Sequence, residues 1–225
     1  NRYNIPSPIA TVINWSYCVS NGYLVFIPDV VFRKGEPGAS SYDAVVSGVK
    51  SLIDRYDFID KDRIALNGHS WGGYQIAFLV TRTNMFKAAV SGAPVVNMTS
   101  AYGGIRWESG KSRMFQYEQT QSRIGGTLWD KPAEFIRNSP LFFLPQVQTP
   151  VLIMHNDKDG SVMWEQGIEF FMALRRLDKP VWLFNYKGEG HHLKKWEIRL
   201  DYSRRVMEFY DYYLKDGKKP EWMKS

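Results

Sequence analysis

Residues 63–83 read Arg-Ile-Ala-Leu-Asn-Gly-His-Ser-Trp-Gly-Gly-Tyr-Gln-Ile-Ala-Phe-Leu-Val-Thr-Arg-Thr. The run 63–66 has the length and composition of a short buried strand, and 72–83 those of a helix. Between them stands Gly68-His69-Ser70-Trp71-Gly72, a G-x-S-x-G pattern. A strand that turns at once into a helix needs a sharp bend, with the serine held in a strained backbone conformation. Glycines at 68 and 72 remove Cβ atoms that would clash as helix and strand close on each other. The serine oxygen is then exposed, with a helix N-terminus behind it that favours negative charge. Ser70 is therefore a candidate nucleophile. The competing explanation, a glycine-rich turn with an incidental serine, does not account for the strand before it and the helix after it.

Outward from this turn, apolar runs of strand length alternate with amphipathic stretches of helix length. The run 23–27 (Tyr-Leu-Val-Phe-Ile) stops at Pro28-Asp29. Tyr42, Val45, Val46, Val49, Leu52 and Ile53 recur at helical spacing, with Ser40 and Ser41 as N-caps. Strands are expected at 88–91, 151–154 and 181–184. Helices are expected at 9–20, 164–177 and 196–214, the last with Val206, Phe209, Tyr210 and Tyr213 on one side. The alternation predicts an α/β protein, with a mostly parallel sheet and helices on both faces. Residues 1–225 read as one domain. The segment 97–145, rich in Gly, Ser, Arg and aromatics, reads as an insertion at the sheet's carboxyl edge, where open α/β sheets bind ligands.

Composition narrows the classes. The chain has 225 residues, 44% hydrophobic and 23% charged, which excludes general disorder. Its net charge of +6 is spread along the chain, apart from a solvated tail, so a nucleic-acid-binding face is not expected. One cysteine, Cys18, allows no internal disulfide and reads as a small buried hydrophobe. No apolar run approaches membrane-span length. Compartment and oligomeric state stay open. Asp157-x-Asp159-Gly160 is not a calcium loop, since position twelve would be Ile168. The sequons at Asn14 and Asn97 carry little weight. No metal ligand cluster or cofactor motif is legible, so no cofactor is expected.

A nucleophilic serine needs a base, and there are four histidines. His69 lies inside the turn and reads as structural. His155 directly follows a strand and reads as a packed strand-end residue. His191 and His192 follow the last expected strand and the turn Gly188-Glu189-Gly190, where the chain order Ser, acid, His would place the base. His191, next to the turn, is the preferred one. The acid is then one of Asp157 and Asp159, on the loop after 151–154. The alternative for Asp157 is a loop aspartate capping the turn.

The chain resembles the catalytic domain of the prolyl oligopeptidase family of serine peptidases. The segments that carry this are Gly68-His-Ser-Trp-Gly-Gly-Tyr74, 86–94, Ser139-Pro-Leu141, 149–159 and Glu189-Gly-His191. The resemblance implies an α/β-hydrolase fold and a serine peptidase working through an acyl-enzyme. It places the acid three residues before a valine, which selects Asp159 before Val162, and it selects His191 as the base. It makes the Trp71 N–H an oxyanion donor. It puts Val95 and Val162 in the substrate pocket, and Tyr102 of the inserted segment lies near them in sequence. The expected partner is a peptide with an apolar or proline-like residue before the cut bond. An acidic preference would follow if Arg106, Arg113 or Arg123 pointed into the pocket.

The sequence also departs from the family pattern. Gly160 and Ser161 stand where dipeptidyl peptidases carry an asparagine. The family's β-propeller and its tyrosine oxyanion donor have no counterpart in residues 1–225. The run 23–27 resembles the family's fourth strand, and the third would belong between it and 64–66. The chain is therefore expected to be a C-terminal, partial catalytic domain of a longer parent with an upstream β-propeller. Two other functions compete: an esterase or other acyl hydrolase on the same fold, which would cleave p-nitrophenyl esters but not peptide anilides, and a non-catalytic interaction domain, which would not react with a fluorophosphonate.

Overall fold

A computed structural model describes residues 12–224. The elements run α1 (Trp15–Ser20), α2 (Pro37–Arg55), β1 (Ala65–His69), α3 (Trp71–Val80) and β2 (Ala88–Gly92). Then come α4 (Met98–Tyr102), a hairpin of β3 (Ile105–Arg106) and β4 (Lys111–Ser112), α5 (Met114–Glu118), α6 (Pro132–Arg137) and a 3₁₀ turn (Pro140–Gln146). The chain continues with β5 (Val151–Met154), α7 (Glu165–Arg176), β6 (Val181–Phe184) and α8 (Trp196–Leu214).

Four strands make one parallel sheet in the order β1-β2-β5-β6. Strand side chains alternate between faces, and the two cores follow that alternation. Ala89, Val151 and Ile153 face α2, α3 and α7, packing with Val46, Val49, Ile76, Leu79, Phe170 and Leu174. Ala88, Val90, Leu152 and Met154 face α8, packing with Tyr202, Val206, Phe209 and Tyr210. These α8 positions are i, i+4, i+7 and i+8, one helical stripe. Both faces are covered, as the all-apolar β5 and β6 require. Cys18 is buried, with its thiol 3.8 Å from the Met207 sulfur.

Four expectations need correction. Ser40 and Ser41 do not cap α2 but lie inside it, their hydroxyls donating back to Glu36 O and Pro37 O. The run 23–27 forms no strand. Its Tyr23 hydroxyl donates to Asp211 on α8 at 2.6 Å, while the Phe26 ring lies against Gly48 on α2. Side chains thus tie the run to both faces of the sheet, while its backbone joins no strand and Tyr23 N donates to Cys18 O at 3.0 Å. Leu24, Phe26 and Ile27 are exposed, and β1 is the sheet's edge strand among the described residues. The expected strand at 63–66 is Ala65–His69, because its ladder with β2 continues to the bend. The first helix is Trp15–Ser20, begun by Asn14, whose side chain caps Tyr17 N at 2.8 Å. Residues 1–11 lie outside the described ones.

The segment 97–145 lies between β2 and β5 as short helices, the hairpin and loops. Beneath it Tyr74, Phe78, Met98, Ala101, Tyr117 and Phe135 form a third apolar cluster. Asn138 ties this segment to the start of α2. It accepts from Gly38 N at 3.2 Å and donates to Gly35 O at 3.0 Å.

Candidate active site

Ser70 stands between β1 and α3 with φ 60° and ψ −115°. A side chain rarely adopts positive φ, and holding it costs on the order of 1–3 kcal/mol. The surroundings enforce it. Ser70 N donates to Gly92 O at 2.8 Å, and Tyr74 N donates to Ser70 O at 3.0 Å to start the helix. A Cβ on Gly68 would lie 2.4 Å from Gly72 O, and one on Gly73 would lie 2.2 Å from Gly92 O. At Gly72 the nearest atom would be 4.0 Å away. The close approaches therefore belong to Gly68 and Gly73, not to Gly72 as the motif alone implies. The Trp71 N–H opens α3 and has no partner within the helix. The Trp71 ring stacks on Tyr74 at 4.4 Å.

The loop after β5 carries Asp159, which is buried. Its Oδ1 accepts from Ser161 N and Val162 N, each at 2.8 Å. Its Oδ2 lies 2.7 Å from His191 Nδ1 and 3.3 Å from His155 Nε2. Burial by itself would raise the Asp159 carboxyl. Hydrogen bonds from His155 and His191 outweigh it and hold the group well below the usual carboxylate range. His155 Nε2 also faces Val162 O at 3.2 Å. With two acceptors before it, Nε2 is assigned as the protonated nitrogen. His155 is packed at a strand end, as expected, but it is also a second donor to the acid. Its position four residues before Asp159 is the only trace of this in the sequence.

Asp157 and Asp159 have separate partners. Asp157 Oδ1 accepts from Gly188 N at 2.7 Å, the turn-capping role. Asn156 donates to Gly190 O at 2.8 Å and accepts from Tyr186 N at 3.0 Å. Together they join the loop after β5 to the loop after β6, which carries His191.

The histidine loop meets the serine turn through rings. His69 lies 4.7 Å from His191 and 5.0 Å from His192, centroid to centroid. No hydrogen bond joins Ser70 Oγ to His191. Such contacts often tighten only when substrate binds. Burial, then His191 and His192, push His69 down to about 3, so it is neutral.

Val95, Val162 and Tyr102 sit together in the third apolar cluster, each nearly fully buried. The Tyr102 hydroxyl donates to Glu118 at 2.6 Å. Arg106 and Arg113 bind the acid loop. Arg106 donates to Ser161 Oγ at 3.0 Å, Arg113 donates to Ser161 O, and Ser161 Oγ donates to Glu108 at 3.0 Å. The hairpin thereby grips Ser161 beside Asp159, a contact that sequence reading missed. Arg123 lies over the Phe32 ring at 5.1 Å and borders a cavity of about 510 Å³ with Lys34 and Glu118.

The "Uncharacterized peptidase YuxL" of Bacillus subtilis is 31% identical over 166 residues, covering 72% of this chain and 23% of that protein. The human acylamino-acid-releasing enzyme is 29% identical over 174 residues, covering 74% and 22%. The chain therefore spans less than a quarter of these relatives. The solved acylaminoacyl peptidase of Pyrococcus horikoshii superposes with a TM-score of 0.73 at 20% identity, over 85% of this chain and 30% of that one. It shares the α/β-hydrolase fold. The sequence model of the prolyl oligopeptidase family matches residues 13–217. That match takes in the serine turn, both loops of the site and the whole described sheet, and the chain belongs to the prolyl oligopeptidase family.

Proposed function

We propose that the protein is a serine peptidase that cleaves peptide bonds through an acyl-enzyme. The observation that carries this reading is the buried Asp159–His191 pair, 2.7 Å apart, packed against the strained Ser70 turn. Ser70 Oγ attacks the substrate carbonyl. His191 takes the Ser70 proton and returns it to the leaving amine. Asp159 fixes the His191 tautomer and stabilises its charged form. The Trp71 N–H donates to the oxyanion, a contact worth roughly 3–4 kcal/mol of barrier. The Ser70–His191 hydrogen bond forms as substrate binds, by rotation of the serine side chain or a shift of the ring. Val95, Val162 and Tyr102 wall the pocket for the residue before the cut bond.

The partner is a peptide. Residues 1–225 are the C-terminal part of a catalytic domain, with 97–145 inserted and a β-propeller upstream. Among the described residues the outer edge of β1 has no partner strand, which supports this, since a further strand would complete the sheet there. Reaction with a fluorophosphonate tests the chemistry. Wild-type protein should be labelled at Ser70, and Ser70→Ala and His191→Ala should not. Labelling that survives Ser70→Ala would overturn the reading. Cleavage of peptide anilides, compared with p-nitrophenyl esters, separates a peptidase from an esterase.

A further inference from the structure

His69, His191 and His192 each bring one ring nitrogen into a group whose members lie within 4.8 Å of one another. Among the described residues this is the one such cluster. Only His191 has a part in the proposed reaction. His69 Nδ1 and Nε2 are both buried without a hydrogen-bond partner. An unmet buried polar atom costs about 1–3 kcal/mol, and a ligand on one of these nitrogens would recover part of that cost. His191 is arranged as metal-binding imidazoles usually are. Its Nδ1 is held by a carboxylate, here Asp159 at 2.7 Å, which leaves Nε2 outward. His192 is exposed and its ring lies 4.9 Å from that of His191.

Three imidazoles suit zinc, copper or nickel and not calcium or magnesium, which take oxygen ligands. Zinc accepts three histidines and keeps a fourth position for water. With Zn–N bonds of about 2.0–2.1 Å, a tetrahedral site needs its nitrogens about 3.3 Å apart. The cluster must therefore contract by no more than about 1.5 Å, shared among the three rings, of which His192 is exposed.

We propose that His69, His191 and His192 form a reversible inhibitory site for a zinc-type divalent cation. The inhibition rests on the reading of His191 as the base. The Nε2 lone pair that would accept the Ser70 proton is the one donated to the metal. Occupancy thus removes the base without any covalent change, and release of the metal restores it.

The test titrates Zn²⁺ into metal-free protein. A chromogenic zinc chelator in competition reports binding, and the rate of fluorophosphonate labelling reports the site. A single saturable zinc is expected, with labelling slowed in step with occupancy and restored by EDTA. His192→Ala should keep metal-free labelling within about twofold and weaken zinc binding by at least about tenfold. His69→Gln should weaken it likewise. Where His69→Gln does not fold, His192→Ala decides. Absence of saturable binding up to about 1 mM zinc, or unchanged affinity in His192→Ala, overturns the site. Binding that leaves labelling untouched overturns the inhibition. Metal-free protein that is never labelled sinks the peptidase reading instead, and the chelator competition still decides the metal site.

Discussion

His155 Nε2 approaches Asp159 Oδ2 at 3.3 Å, on the same oxygen that His191 meets at 2.7 Å. The carboxylate is buried, and four donors converge on it: two imidazoles and the N–H groups of Ser161 and Val162. His155 is buried as well, so its loss would leave both a cavity and a less satisfied charge. His155→Ala should lower stability by about 3 kcal/mol. His155→Gln, which keeps a donor, should recover part of that. Urea unfolding of the three proteins checks it, and equal stability would show that the contact contributes nothing.

Acid should destabilise the fold through two groups. Asp159 is held below its usual range, so its charge favours the folded state at neutral pH. That contribution is lost as pH falls from the usual carboxylate range through the depressed folded value. His69 is depressed from 6.5 to about 3. Between those values the unfolded chain binds a proton that the folded one refuses, so stability again falls with pH. His69→Gln should flatten the loss between about pH 6.5 and pH 4.5. Denaturation midpoints at the two pH values would show an unchanged slope if His69 were not neutral in the fold.

Gly72 and Gly73 should respond differently to the same change. Gly73→Ala places a methyl 2.2 Å from Gly92 O and must push α3 off β2. It should cost about 3 kcal/mol or more. Gly72→Ala meets nothing nearer than 4.0 Å, and it replaces glycine inside a helix. It should be neutral or stabilising by up to about 1 kcal/mol. Thermal unfolding ranks them, and similar losses at both positions would contradict the packing.

The Ser70 conformation predicts a gain on losing the side chain. Ser70→Gly relieves the positive φ and should raise stability by about 1 kcal/mol. Ser70→Ala keeps the strain and should not. Both should abolish fluorophosphonate labelling. Calorimetry showing the glycine variant less stable than the alanine variant would mean that the turn is not strained.

The sheet was legible because β5 and β6 are apolar throughout, β1 and β2 begin apolar, and each strand is followed by a helix or a turn residue. Val151–Met154 and Val181–Phe184 fall where their composition puts them. The run 23–27 has similar composition and fails as a strand, because local pattern cannot say whether a partner edge is in reach. Ser70 was legible from local chemistry, since the tight bend writes its own glycines. The contacts of His69 and His155 were not, because each depends on how separate loops meet. The same holds for Arg106 and Arg113, which hold Ser161 across about fifty residues of chain.

Asn156 and Asp157 fasten the loop after β5 to the loop after β6, so acid and histidine travel as one jaw. The serine turn, fixed to β2 through Gly92, is the other jaw. Along the seam between them the His69 ring meets His191 and His192 tilted at 50° and 42°. The fastened loops resist any change in the Asp159–His191 spacing. A change in how the His69 and His191 rings meet would therefore alter the approach of His191 to Ser70 and leave the Asp159–His191 spacing as it is.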